Sequence, residues 1–124
     1  MPTTITTPRE RPLKRGDVAL AVFPNTDGLT AKLRPVVIVQ ADGLDTGLPQ
    51  VLAAMVTSNL RREGKPFRVF IPLASAEGRA SGLLSDSVVM ADCVATIAVK
   101  AVHRVIGRMD KAALDRALRV ALDL

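Results

Sequence analysis

Residues 32–40, KLRPVVIVQ, set two cations and a proline against a run of β-branched side chains. Valine and isoleucine favour a pleated backbone, so the run reads as a buried strand. Pro35 has no donor N–H and fits the first position of a strand, and it biases Arg34 toward an extended conformation. This reading places a guanidinium on rigid backbone at the mouth of a strand.

Working outward, DVALAVF (17–23) alternates Val18, Leu20 and Val22 with smaller neighbours, and the TDG of PNTDGLTAK is a turn signal leading to Arg34. Together they predict a long hairpin. On the far side, the polar loop ADGLDTGLPQ precedes VLAAMVTS (51–58), an apolar strand ending on hydroxyl residues, and FRVFI (67–71) makes another strand. SVVMADCVATIAV (87–99) is too long and too β-branched for one helix and predicts one or two strands more, with VHRVIG a strand near the end. In DKAALDRALRVALDL, Asp110 can cap a helix on which Leu114, Leu118 and Leu122 recur every fourth residue beside Ala113, Ala117 and Ala121. No internal repeat interrupts the pattern. The expected fold is mainly β: a small, strongly curved barrel of five to seven strands with a C-terminal α-helix over one face.

The 124 residues suit a single domain, placed over residues 13–124. The opening MPTTITTPRERP, with three prolines and four threonines, has no apolar stretch of the secretory type and is expected to be a disordered tail over residues 1–12. With 48% apolar and 23% charged residues the composition is that of a globular protein, and no apolar run approaches the roughly 20 residues that span a bilayer. The lone Cys93 has no partner for an internal disulfide, which fits a reducing compartment; the expected location is the cytoplasm, and the simplest role for this thiol is that of a small hydrophobe.

Seventeen Lys and Arg against 12 Asp and Glu give a net charge of +5, which favours polyanionic partners. The cations cluster at Arg9, Arg11, Lys14 and Arg15, and again at Arg61, Arg62, Lys65 and Arg68. Three Phe and no Tyr or Trp leave few rings on which bases could stack, so any RNA contact must lean on phosphates and polar side chains. No phosphate-cradling glycine loop is present, and the single His103 excludes a two-histidine acid–base pair within one chain. No Cys/His set has metal-ligand spacing, so neither a metal nor a cofactor is expected. The aspartates Asp17, Asp27, Asp42, Asp45, Asp86 and Asp92 are spread one per loop or strand end, as turn and cap residues are.

The order RGDVALAVFPNTDG, KLRPVVIVQ, AAMVTSN, GLLSDSVVMADCVATI and IGRM before a terminal helix resembles the MazF/PemK family of toxin endoribonucleases, from about Lys14 onward. The resemblance rests on Gly16-Asp17 opening a strand, Phe23-Pro24 with Thr26-Asp27 beyond it, Arg34-Pro35 before an apolar strand, and Thr57-Ser58 ending another. It implies an SH3-like barrel, a homodimer, metal-independent cleavage of single-stranded RNA, and neutralisation by a cognate antitoxin protein. The family's catalytic arginine and threonine fall on Arg34 and Thr57. The RNA-binding set expected around them is Asn25, Thr26, Lys32, Ser58, Arg61 and Arg62. The chain departs from the family after Asp92: Cys93 and Ala95 stand where a glutamine and a basic residue are common, and Ala98 and Ala101 replace a later acidic and a basic position.

Elementary chemistry agrees with that assignment. Attack by an RNA 2′-hydroxyl on the adjacent phosphate requires stabilisation of charge developing on the phosphorane oxygens. A planar guanidinium matches two such oxygens. A hydroxyl from Thr57 or Ser58 can donate to a phosphate oxygen or hold the 2′-hydroxyl in line, and since successive strand residues face opposite sides only one of the pair enters the site. Two structural alternatives stand beside this reading: Arg34 paired with Asp17 or Asp27 at the rim, and Thr57-Ser58 merely ending a strand. Two other functions remain open as well, a non-catalytic barrel that poisons a gyrase-type protein target and a basic RNA-binding module.

Overall fold

The computed structural model describes residues 12–124, so all of the expected tail except Pro12 lies outside the described residues. In chain order the elements are β1 (Asp17–Pro24), β2 (Ala31–Ile38), β3 (Gln50–Thr57), β4 (Arg68–Ile71), α1 (Ala76–Ser81), β5 (Ser87–Ala98), β6 (Val102–Arg108) and α2 (Lys111–Leu122). The six strands form one antiparallel sheet in the order β4-β5-β3-β2-β1-β6. This is the mainly β architecture with a terminal helix that the sequence predicts. The hydrogen-bond ladder runs from β4 at one edge to β6 at the other without joining those two edges.

Period-two alternation gives the sheet two buried faces. Val18, Val37, Val56 and Val89 point to the face covered by α2, where Leu114, Ala117 and Leu118 are buried. Ala19, Ala21, Phe23, Val36, Ile38 and Ala53 point to the other, closed over by Ile97, Val102 and Val105 as the sheet curls. Small residues on β1 let Phe23, 1% exposed, fill the second core. Asp110 caps α2 by accepting from the Ala112 N–H at 3.1 Å. The third leucine of the predicted stripe behaves differently: Leu122, the last residue of α2, is 58% exposed.

Two local features depart from the sequence reading. β2 begins at Ala31, so Pro35 lies within the strand rather than at its start, opposite Leu20 of β1. It is tolerated because β2 pairs with β3 only over Val36–Ile38, leaving the β3 side unladdered at Pro35. β5 is one strand with a break in register: Met55 pairs with Met90 but its neighbour Ala54 pairs with Val94. Residues 91–93 therefore bulge from the ladder and turn Asp92 and Cys93 out of the regular alternation. Among the described residues no helix is long and apolar enough to cross a membrane.

Candidate active site

The β1–β2 hairpin and the end of β3 build the site. β2 and β3 are last paired at Val36 and Met55, and two residues beyond that pair lie Arg34 on one strand and Thr57 on the other. There the strands part and a cleft of about 380 Å³ opens, lined among others by Lys32, Arg34, Thr57, Ser58, Ser85 and Arg104. Leu20, Pro35, Val56, Leu83, Ser87 and Ile106 also line it, the strand residues among them from the α2 side of the sheet rather than the Arg34 side. Among the described residues no carboxylate and no imidazole lines it.

Arg34 is half-buried and its guanidinium is held at both ends. Nη1 donates to Met55 Sδ at 2.9 Å and Nη2 donates to Asn25 Oδ1 at 2.5 Å. The Nε–H is buried without an acceptor among the described residues. A donor left unmet inside a protein is costly, and this one lies below the reach of solvent. Neither aspartate proposed as a rim partner takes this charge: Asp17 accepts from the Lys14 N–H, and Asp27 accepts from Leu29 and Thr30 of its own turn. Among the described residues Arg34 forms no ion pair.

Thr57 lies on the Met55 face of β3, the face that carries Arg34 on β2. Its Oγ1 accepts from the Asn59 N–H at 3.1 Å, which leaves the hydroxyl proton to donate. Asn59 in turn accepts from the Arg61 N–H and caps the 3₁₀ turn Leu60–Arg62. Arg68 fastens that turn from outside. It grips Asp92 through Nε at 3.3 Å and Nη2 at 2.9 Å, donates from Nη1 to the Arg62 carbonyl at 3.1 Å, and lies 4.9 Å from the Phe67 ring centre. The hydrogen bond to Asp92 raises the Arg68 pKa further. Arg61 and Arg62 project from this turn, exposed and without ion pairs among the described residues.

Of the residues expected from sequence, Lys32, Arg34, Thr57 and Ser58 share the cleft, and Asn25 touches Arg34; Thr57 and Ser58 both line it, contrary to the expectation that only one would, because β3 ends at Thr57 and Ser58 is free of its alternation. Thr26 is exposed in the turn, and Arg61 and Arg62 stand on the approach rather than in the cleft. Arg104, Ser85 and Met55 escaped the sequence reading. Arg104 lies on β6 opposite Leu20, a neighbour that only the tertiary register reveals. Cys93 is half-buried; burial pushes its thiol pKa up, Asp92 adds to the rise and Arg34 opposes it. No group of three or more His, Cys, Asp or Glu among the described residues is arranged to hold a metal.

A curled antiparallel sheet with a cleft bordered by Lys32, Arg34 and Arg104 defines a small basic β-domain. Residues 14–122 match the family described as PemK-like, MazF-like toxin of type II toxin-antitoxin system. Endoribonuclease MazF6 of Mycobacterium tuberculosis is 31% identical over 105 residues, covering 82% of this chain and 88% of the relative; endoribonuclease MazF2 of Mycobacterium bovis matches equally. The solved Mycobacterium tuberculosis toxin MazF-mt6 superposes with a TM-score of 0.68 at 29% identity, over 87% of this chain and 97% of that one. A mycobacterial endoribonuclease in complex with its cognate antitoxin shares the fold, with a TM-score of 0.67 at 21% identity over 90% of this chain and 96% of that one. The chain belongs to the MazF/PemK toxin family.

Proposed function

We propose that this toxin is an endoribonuclease that cleaves single-stranded RNA at the Arg34–Thr57 cleft. The observation that carries the reading is the Arg34 guanidinium, held at two points and without an ion pair among the described residues, at the place where β2 and β3 part beside Thr57. In the reaction the RNA 2′-hydroxyl attacks the adjacent phosphorus and the P–O5′ bond breaks, leaving a 2′,3′-cyclic phosphate and a 5′-hydroxyl. Arg34 stabilises the phosphorane oxygens as their charge grows, and Thr57 donates to a phosphate oxygen or aligns the 2′-hydroxyl. Among the described residues no carboxylate or imidazole lines the cleft, and solvent takes the 2′-hydroxyl proton and returns one to the departing 5′-oxygen. Lys32, Ser58, Arg61 and Arg62 guide the strand.

Digestion of single-stranded RNA in excess EDTA tests this directly. Fragments ending in cyclic phosphate are expected; a mobility shift without fragments would mark a binding module, and neither would mark a protein target. The guide role of the turn has its own signature. Neutralising Arg61 and Arg62 together should weaken binding across RNA sequences and reduce the salt dependence by roughly one or two units of slope, with a nearly normal rate at saturation. A change in which sequence is cleaved, at unchanged salt slope, would assign them to base recognition instead.

The toxin is proposed to act in the cytoplasm as a homodimer neutralised by a cognate antitoxin protein, as the antitoxin complexes of its structural relatives suggest. Exposed apolar surface supports the dimer. Val22 and Leu33 face each other across β1 and β2 at 37% and 49% exposure, and Val120 and Leu122 of α2 are 50% and 58% exposed. Sedimentation at micromolar concentration should give about twice the 13.2 kDa chain mass; a single-chain mass would contradict the proposal.

A further inference from the structure

The β1–β2 turn contains a hydrogen-bonded chain that ends on the proposed catalytic guanidinium. Asp27 starts it. Its Oδ1 accepts from the N–H groups of Leu29 at 2.8 Å and Thr30 at 2.9 Å, and its Oδ2 accepts from the Thr30 hydroxyl at 2.7 Å. These bonds, the Thr30 hydroxyl first, hold the Asp27 carboxyl below its ordinary range. An ionised carboxylate only accepts, so the Thr30 hydroxyl must point its proton at Asp27 and offer its lone pairs elsewhere. Asn25 uses one, donating from Nδ2 to Thr30 Oγ1 at 2.7 Å. That bond settles which way the Asn25 amide faces: its Oδ1, not its NH₂, meets Arg34 Nη2.

We propose that Asn25 is a positioning residue, and that the Asp27–Thr30–Asn25 chain sets the plane of the Arg34 guanidinium for phosphate. The inference rests on the reading of Arg34 given above. Met55 Sδ is a weak acceptor and by itself leaves rotation about the terminal bonds loosely restrained. Asn25 supplies the second fixed point, and a fork held at two points meets a phosphate already oriented. Asn25 thus acts through Arg34 rather than by direct contact with RNA. The turn stays in register through its own backbone, with the Asn25 N–H donating to the Thr30 carbonyl at 2.8 Å, so the side-chain chain can be cut without unfolding the hairpin.

The test compares Asn25→Ala, Thr30→Val and Thr30→Ser with the parent toxin and with Arg34→Lys, on one single-stranded RNA at saturation. Asn25→Ala should lower the single-turnover rate about tenfold with Kd within about twofold, and Thr30→Val about threefold, while Thr30→Ser, which keeps the hydroxyl, restores the parent rate. A second readout needs no substrate. In ¹⁵N spectra the Arg34 Nη signals, assigned by their loss in Arg34→Lys, should be resolved in the parent and in Thr30→Ser and coalesce in Asn25→Ala and Thr30→Val. A raised Kd at normal rate in Asn25→Ala would make Asn25 a direct RNA contact and overturn the proposal. So would a normal rate beside an impaired Arg34→Lys, or Nη signals unchanged by Asn25→Ala. If Arg34→Lys itself cleaves normally, the reading of the cleft falls and the positioning role with it, whatever the spectra show.

Discussion

Arg34→Lys should cut the single-turnover rate of RNA cleavage by about 10²-fold or more while leaving RNA affinity little changed, a loss of about 2.7 kcal/mol of transition-state stabilisation. The charge survives the substitution, so attraction to the backbone survives too. The fork does not. In the parent, Nη1 meets Met55 and Nη2 meets Asn25, which fixes the plane of the group and leaves the second proton on each Nη to meet phosphate oxygens. A lysine ammonium is a single point on a flexible stem and cannot hold both anchors and two oxygens at once. Melting provides the control. Arg34 is half-buried at the open end of the β2–β3 ladder, so the variant should melt within a few degrees of the parent. Normal cleavage at saturating RNA in a well-folded Arg34→Lys protein would reduce the arginine to a packing residue of the rim.

The second large effect is on the fold. Gly107→Ala should lower stability by roughly 2–4 kcal/mol and melting by on the order of ten degrees. A Cβ on Gly107 of β6 would stand 2.3 Å from the Ala80 carbonyl oxygen and 2.3 Å from the Ser81 carbonyl carbon. These are backbone atoms at the end of α1 and cannot swing aside. The contact is reciprocal, since a Cβ on Gly82, at φ 71°, would lie 2.0 Å from the Ile106 carbonyl oxygen. α1 and β6 approach so closely only because both positions lack a side chain. The segment from Gly82 to Ser85 lines the cleft, so Gly107→Ala should also impair cleavage at temperatures where the protein is still folded. Thermal unfolding followed by circular dichroism checks the first effect, and a variant that melts with the parent would mean that α1 does not sit against β6 as described.

The two variants probe opposite ends of the same design. Arg34 is tuned by side chains that reach it from the hairpin turn and from β3, whereas the opposite wall of the cleft is set by backbone packing. The departures after Asp92 belong to neither. Asp92 lies in the β5 bulge and is engaged by Arg68, and Cys93 beside it packs against the second core with Ala95. Cys93 and Ala95 thus serve packing, while Asp92 anchors the Leu60–Arg62 turn through Arg68.

Local sequence was enough for most of the frame. Alternation in DVALAVF and VLAAMVTS, the β-branched run after Pro35 and the capped four-residue leucine spacing after Asp110 place β1, the end of β2, β3 and α2 to within about a residue, because each pattern reports which face of its own element is buried. The arginine and threonine at the heart of the cleft were legible through their order along the chain and its family resemblance. What only the tertiary structure decided are matters of neighbourhood. The short helix α1 was invisible because its six residues, AEGRAS, have no apolar period, and it is held by its Ser75 cap and the glycine contact with β6. Arg104 enters the cleft wall only because β6 pairs with β1, a contact some eighty residues away along the chain. Asn25 and Met55 converge on Arg34 from a turn and from a different strand, and no spacing along a sequence encodes the register that brings them there. Periodicity tells a residue which way it faces, and the folded sheet alone decides what it meets.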